Sequence, residues 1–184
     1  MLNHNQYLYI NSDNHNKTEQ FIIEQKMTSS SKREFLTNSF PELLNNLNID
    51  TKANFGLMTP QHMVEHLIMA LGSATTKFEG ERIKPASEQQ LGMQQFIKSG
   101  SVLVHRPSEK TKADLPPLKY ASLEEAITNI PDAVEKYYAF QDNNPNYIPY
   151  ASFMGEVSYE DVELFHYMHI KYHLWQFGLL EQYP

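Results

Sequence analysis

Histidine is the residue type in this chain with most to offer a chemical site. There are eight His and no Cys, so disulfides, a thiol nucleophile and thiolate ligands are excluded, and any metal chemistry falls to His, Asp and Glu. If the segment around His166, His169 and His173 is helical, these three fall within an arc of about 60°, because successive residues are turned by 100°. Val162, Ile170 and Phe177 lie on the same side of the helix while Glu160, Asp161 and Lys171 lie opposite, which makes it the stripe that faces a core. A single His on such a stripe is ordinarily a hydrogen-bonded core residue. Three together leave ring nitrogens without partners, at about 1–3 kcal/mol each, a cost that a divalent cation removes by accepting the lone pairs. The i, i+4 pair His169/His173 has the spacing with which helices chelate zinc. Imidazoles seven residues apart diverge around one ion, so a further ligand is expected from another helix. The segment His62-Met63-Val64-Glu65-His66 offers two, and His66, nearer the middle of its helix, is the better placed.

The elements that must position these residues are helices. From residue 32 to 47, Phe35, Leu36, Phe40, Leu43, Leu44 and Leu47 recur at spacings of three and four, with Pro41 as the discordant residue. Thr59-Pro60 reads as a cap followed by a first-turn Pro, and predicts a second, largely buried helix to about residue 77. Residues 79–119 carry Pro85, Pro107, Pro116 and Pro117 and read as an extended crossover, with one helix-compatible piece over 88–98. Ser122-Leu123-Glu124-Glu125 opens a third helix, to about residue 141, that Pro131 kinks. Ser158-Tyr159-Glu160-Asp161 opens a fourth, which runs to Phe177 and stops at Gly178. The expectation is all-α: a four-helix bundle with a long crossover between the second and third helices. Residues 1–30, rich in Asn, His and Gln, read as an N-terminal extension outside a domain over 31–184, and Met27 suits a later translational start.

The segments Met58-Thr59-Pro60-Gln61-His62-Met63-Val64-Glu65-His66-Leu67, Phe153-Met154-Gly155-Glu156-Val157-Ser158-Tyr159 and His169-Ile170-Lys171-Tyr172-His173-Leu174-Trp175-Gln176-Phe177-Gly178 together resemble the DinB/YfiT-like superfamily of metal-dependent enzymes, and more closely one of its domain-of-unknown-function subgroups. The resemblance covers roughly residues 32–180. It implies a four-helix bundle that binds one metal through a His of the second helix and an i, i+4 His pair of the fourth, here His66, His169 and His173. Two positions depart from the family's pattern. Leu174 follows the last His where many members have Arg, and Ala151-Ser152 stands where the subgroup often has His-Pro.

Other constellations are weaker. His62-x-x-Glu65-His66 matches the inverted zinc-protease pattern, but it leaves the His of the fourth helix unexplained. Glu163-x-x-His166 is half of a di-iron carboxylate motif with no second half on the second helix. Gly-x-Ser-x-Gly and Gly-rich phosphate loops are absent. A formal charge of −7 with no basic cluster argues against nucleic acid. No apolar run approaches the roughly 20 residues of a membrane span, and the chain reads as cytoplasmic. Ten of its 22 aromatic residues lie in the last 38 positions, either as packing between helices or as an apolar wall for a ligand. His105, in the crossover, reads as a solvated loop residue.

These readings converge on one divalent metal ion held by His66, His169 and His173, with an open coordination position of the kind that marks catalytic sites. Zinc or nickel fits first, and iron or manganese after them. His62, Glu65, His166 and Gln176 are expected around it as pocket residues or residues that orient ligands. The expected activity is that of a small-molecule metalloenzyme, in which the metal ionises a water for hydrolysis or binds a low-molecular-weight thiol for transfer. Thiol-dependent transfer is what the resemblance implies, and it ranks first because it needs no separate base. Glu65 is the nearest candidate base in sequence. The reading from a different class is a non-enzymatic, metal-stabilised bundle acting as a homodimer or a stress-related binding module.

Overall fold

The computed structural model describes residues 29–101, 103 and 115–181. The expected extension up to residue 28, and His105, fall outside the described residues. Within them the chain is mostly helical. The first expected helix is interrupted: α1 (Ser29–Glu34) passes into a π-helical stretch (Phe35–Ser39) and then into α2 (Phe40–Leu44). Pro41 supplies the reason. It has no N–H, and in a regular helix its ring would press on the carbonyl four residues back. The wider π turn, in which the Phe40 N–H bonds the Phe35 carbonyl, relieves that crowding. Leu36, Phe40 and Leu44 are all fully buried across the change of register.

Helix α3 (Pro60–Ser73) begins as expected, with the Thr59 side chain accepting from the His62 N–H and Pro60 in the first turn. It ends before residue 77. The Ser73 and Thr75 hydroxyls bond the carbonyls of Ala70 and Gly72 at 2.7 and 2.8 Å, and short polar side chains that take up helical acceptors in this way favour termination. Within the crossover, the Ser87/Gln90 capping box starts α4 (Glu88–Lys98). The third expected helix is two, α5 (Leu123–Thr128) and α6 (Ile130–Asn143), broken at Asn129 with Pro131 in the first turn of α6. A short antiparallel hairpin, β1 (Tyr150–Ala151) and β2 (Gly155–Glu156), pairs Tyr150 with Glu156 and Ala151 with Gly155. Helix α7 (Tyr159–Gln176) opens with the Ser158/Asp161 capping box and is followed by Gly178 at φ +71°.

Helix α7 packs against α1, α3 and α4, while α3 also meets α5 and α6. Because α7 has neighbours on several sides, its buried residues are not confined to the stripe of His166 and His173: Glu163, Tyr167 and Leu174 are buried too. The single core-facing stripe expected from the sequence is therefore too narrow. The shared core runs through Met63, Leu67 and Leu71 of α3, Ile130 and Val134 of α6, and Ile170 and Leu174 of α7. None of the described helices is long and apolar enough to cross a membrane.

Candidate metal centre

Residues His66 on α3 and His169 and His173 on α7 meet where these two helices pack. The Nε2 atom of His169 lies 3.0 Å from Nε2 of His66 and 3.0 Å from Nε2 of His173. One nitrogen of each ring lies within 4.8 Å of the others, so the group can hold a metal ion. The rings stand edge to face, with centroids 4.7–4.9 Å apart and interplanar angles of 72–87°, so that nitrogens rather than ring faces converge.

Proton placement makes the case for a cation. The Gln176 amide donates from Nε2 to the Phe55 carbonyl at 2.8 Å, so its Oε1 is the atom 2.7 Å from His173 Nδ1 and must accept a proton from it. In neutral His173 the Nε2 is therefore a bare lone pair aimed at His169. A proton on His169 Nε2 satisfies one of the two short contacts and a proton on His66 Nε2 the other, but no set of neutral tautomers satisfies both well. His169 Nδ1 is buried without a partner as well. A cation coordinated by three lone pairs resolves the conflict. Bonds of about 2.0–2.1 Å with angles between octahedral and tetrahedral place ligand nitrogens roughly 2.9–3.4 Å apart, and the observed 3.0 Å falls in that range.

Burial also keeps these rings unprotonated. It lowers the pKa of His66 and brings His173 down to about 4, against the opposing effect of the Gln176 hydrogen bond. His169 is held well below the usual imidazole value, first by burial and then by the neighbouring imidazoles. Metal binding requires neutral imidazole, so the site is poised for it at neutral pH without first losing a proton.

The supporting residues divide. Gln176 orients His173 and ties the end of α7 to the loop of residues 53–57, where the Asn54 N–H donates to the Gln176 carbonyl at 2.8 Å. Gly56, at φ +83°, leaves room for this contact: a Cβ there would stand 2.8 Å from Gln176 Nε2. His166 is 3% exposed and lines a cavity together with His66 and His169. Its pKa is pushed down to about 4 by burial, and its Nδ1 has no partner. Phe165, absent from the sequence reading, stacks on the His169 ring at 5.4 Å with an interplanar angle of 18°. Its position one turn before His169 was the available signal.

Two expected site residues are placed elsewhere. His62 does not line the cavity; its Nδ1 lies 2.6 Å from the Thr59 hydroxyl at the start of α3. Glu65 points to the end of the crossover, where it accepts from the N–H groups of Lys119 at 2.7 Å and Tyr120 at 3.2 Å and from Gln61 Nε2 at 3.0 Å. Burial alone would raise its pKa, but these hydrogen bonds outweigh it and hold the carboxylate below its usual value. A turn of 100° per residue separates Glu65 from His66, and the backbone of residues 119–120 claims the one while α7 claims the other. Glu163, the half-motif carboxylate, accepts from the Tyr138 hydroxyl at 2.9 Å. No family model, curated protein or solved structure matches this chain.

Proposed function

We propose that this protein is a metal-dependent enzyme acting on a small molecule, built as a DinB-like four-helix bundle in which His66, His169 and His173 hold one divalent cation, zinc or nickel before iron or manganese. The observation that carries the reading is the pair of 3.0 Å Nε2 contacts between imidazoles of two helices, together with a cavity of about 320 Å³ that adjoins His66 and His169. Three protein ligands leave room for a further one, which favours catalysis over a structural role. When bound, the cation supplies Lewis acidity that makes a coordinated thiol or water more acidic.

The surrounding residues favour thiol transfer over hydrolysis. Hydrolysis ordinarily calls for a positioned general base, and the expected one, Glu65, is committed to the backbone of residues 119–120. Among the described residues no Asp or Glu lines the cavity, and the imidazole of His166, which does, has its pKa lowered to about 4 and is a weak base. Gln176 fixes the tautomer of His173 and Phe165 stacks on the ring of His169.

The test is to load the protein with cobalt, add a low-molecular-weight thiol, and follow both the near-ultraviolet absorption of the metal centre and the turnover of 1-chloro-2,4-dinitrobenzene. A thiol-dependent absorption change and turnover, both lost in His169→Ala, are expected. Ester or amide hydrolysis without thiol dependence would favour the hydrolase, and one bound metal with silence in every assay would favour a non-enzymatic module.

A further inference from the structure

The cavity beside the imidazoles has a one-sided chemistry. Rings of Phe140, Tyr147, Tyr150, Phe153, Tyr159 and Phe165 form much of its wall, and among the described residues no Asp, Glu, Lys or Arg lines it. The polar groups there, Ser73, Thr76, Gln141 and His166 among them, are ones that hydrogen-bond without a fixed charge. Behind the wall, Arg82 lies 5.4 Å from the ring centre of Tyr147 and 5.6 Å from that of Tyr150. Its charge is already matched by Glu156 at 2.7 Å, which also pairs with Lys84 at 2.8 Å.

An anionic ligand entering this space gives up its hydration and meets ring faces and no counter-charge, which is unfavourable. An uncharged ring meets ring faces and edges, the surroundings in which aromatic pairs are most favourable. The volume, about 320 Å³, is at the small end of small-molecule sites, which combine apolar walls with a few convergent polar groups. A chain of formal charge −7 adds a general bias against anions.

We propose that the cavity takes an uncharged aromatic compound, with its reactive atom at the His66/His169 end, and discriminates against the same skeleton bearing a carboxylate or phosphate group. That this compound is a substrate rests on the reading of the imidazoles as a catalytic metal centre; the binding preference does not. A thiol that carries carboxylates is therefore not the occupant of this space, and only the electrophile is.

The binding preference is tested on chelator-treated protein, by calorimetric titration with 1-naphthylacetamide and with 1-naphthylacetate. They share a skeleton and differ in charge. The amide is expected to bind at least tenfold more tightly. Ala70→Trp, which fills the cavity, is expected to abolish that binding, and Gln141→Lys to reverse the preference, with circular dichroism confirming that each variant is folded. Equal or tighter binding of the carboxylate, or no binding of either compound by the wild-type protein, overturns the proposal, and Gln141→Lys decides it if Ala70→Trp does not fold. Metal content is measured in parallel. Stoichiometric metal without selective amide binding overturns the substrate class alone, while amide binding without metal overturns the metal reading and leaves the ligand class standing.

Discussion

Glu65 and His66 are adjacent on α3 and end in surroundings of opposite kinds. The Glu65 carboxylate accepts three hydrogen bonds, two of them from backbone N–H groups, so most of its acceptor capacity is used and the end of the crossover is clamped to α3. The His66 Nε2 faces another imidazole nitrogen at 3.0 Å, in a cluster where no placement of the imidazole protons satisfies both short contacts. A buried polar group that serves structure is closed by its partners, as Glu163 is by the Tyr138 hydroxyl at 2.9 Å. A group left open among like groups is costly unless something else binds there. The contrast separates a structural polar cluster from a receptive one on a single helix.

The largest effect expected is on metal content. His169→Ala should reduce bound metal from one per chain to none by elemental analysis and abolish stabilisation by added metal, whereas Glu65→Gln should retain the full complement. A Glu65→Gln protein without metal would erase the distinction between the two regions.

Acid comes next, acting on the open region of the metal-free protein. His166 and His173 are lowered to about 4 in the folded chain from an unfolded value of about 6.5. Above about pH 6.5 both states leave these rings neutral. Between about pH 6.5 and 4 the unfolded chain binds protons that the folded chain does not, so stability falls as pH falls, by roughly 3 kcal/mol for each of the two rings. Denaturant midpoints across this window should show the loss, and His166→Asn should lessen it; a flat profile would mean that the rings are not buried as neutral imidazoles.

Breaking the closed region should cost stability alone. Glu65→Ala leaves the Lys119 and Tyr120 N–H groups without their acceptor, a loss of about 1–3 kcal/mol, readable in urea unfolding and in faster proteolysis near residue 119, with metal stoichiometry unchanged. The smallest effect is expected at the support of the open region: Gln176→Leu should weaken metal affinity by about 10–100-fold through loss of the tautomer lock on His173, while keeping the site. Competition with a chelator measures this, and unchanged affinity would remove Gln176 from the set that orients ligands.

Several features were readable from the sequence because they depend on residues close together in the chain. Thr59-Pro60, Ser158 through Asp161 and Gly178 mark helix ends by local hydrogen bonding and local backbone preference, and the structure has α3 and α7 start, and α7 stop, there. The pairing of His169 with His173 follows from one turn of helix. Other outcomes came from competition that no short window contains. Pro41 could be read as a kink, a break or an error in the period, and the π turn that absorbs it holds Leu36 and Phe40 together in the core. Gly155 at φ +72° is where the hairpin meets Gln90, whose amide donates to the Tyr150 hydroxyl and the Ser152 carbonyl, a contact across 60 residues of chain.

What the sequence by itself determined here is the helices and the nitrogens placed along them, because helical periodicity and capping are local physics. Only the tertiary structure decided which of those nitrogens meet. His62 and His66 have the same spacing as His169 and His173, yet Thr59 takes His62 and α7 takes His66. Glu65, adjacent to His66 in sequence, is claimed by a loop 54 positions away. The choice rests on which neighbour each side chain finds when the helices pack, and therefore on contacts between residues that the chain keeps far apart.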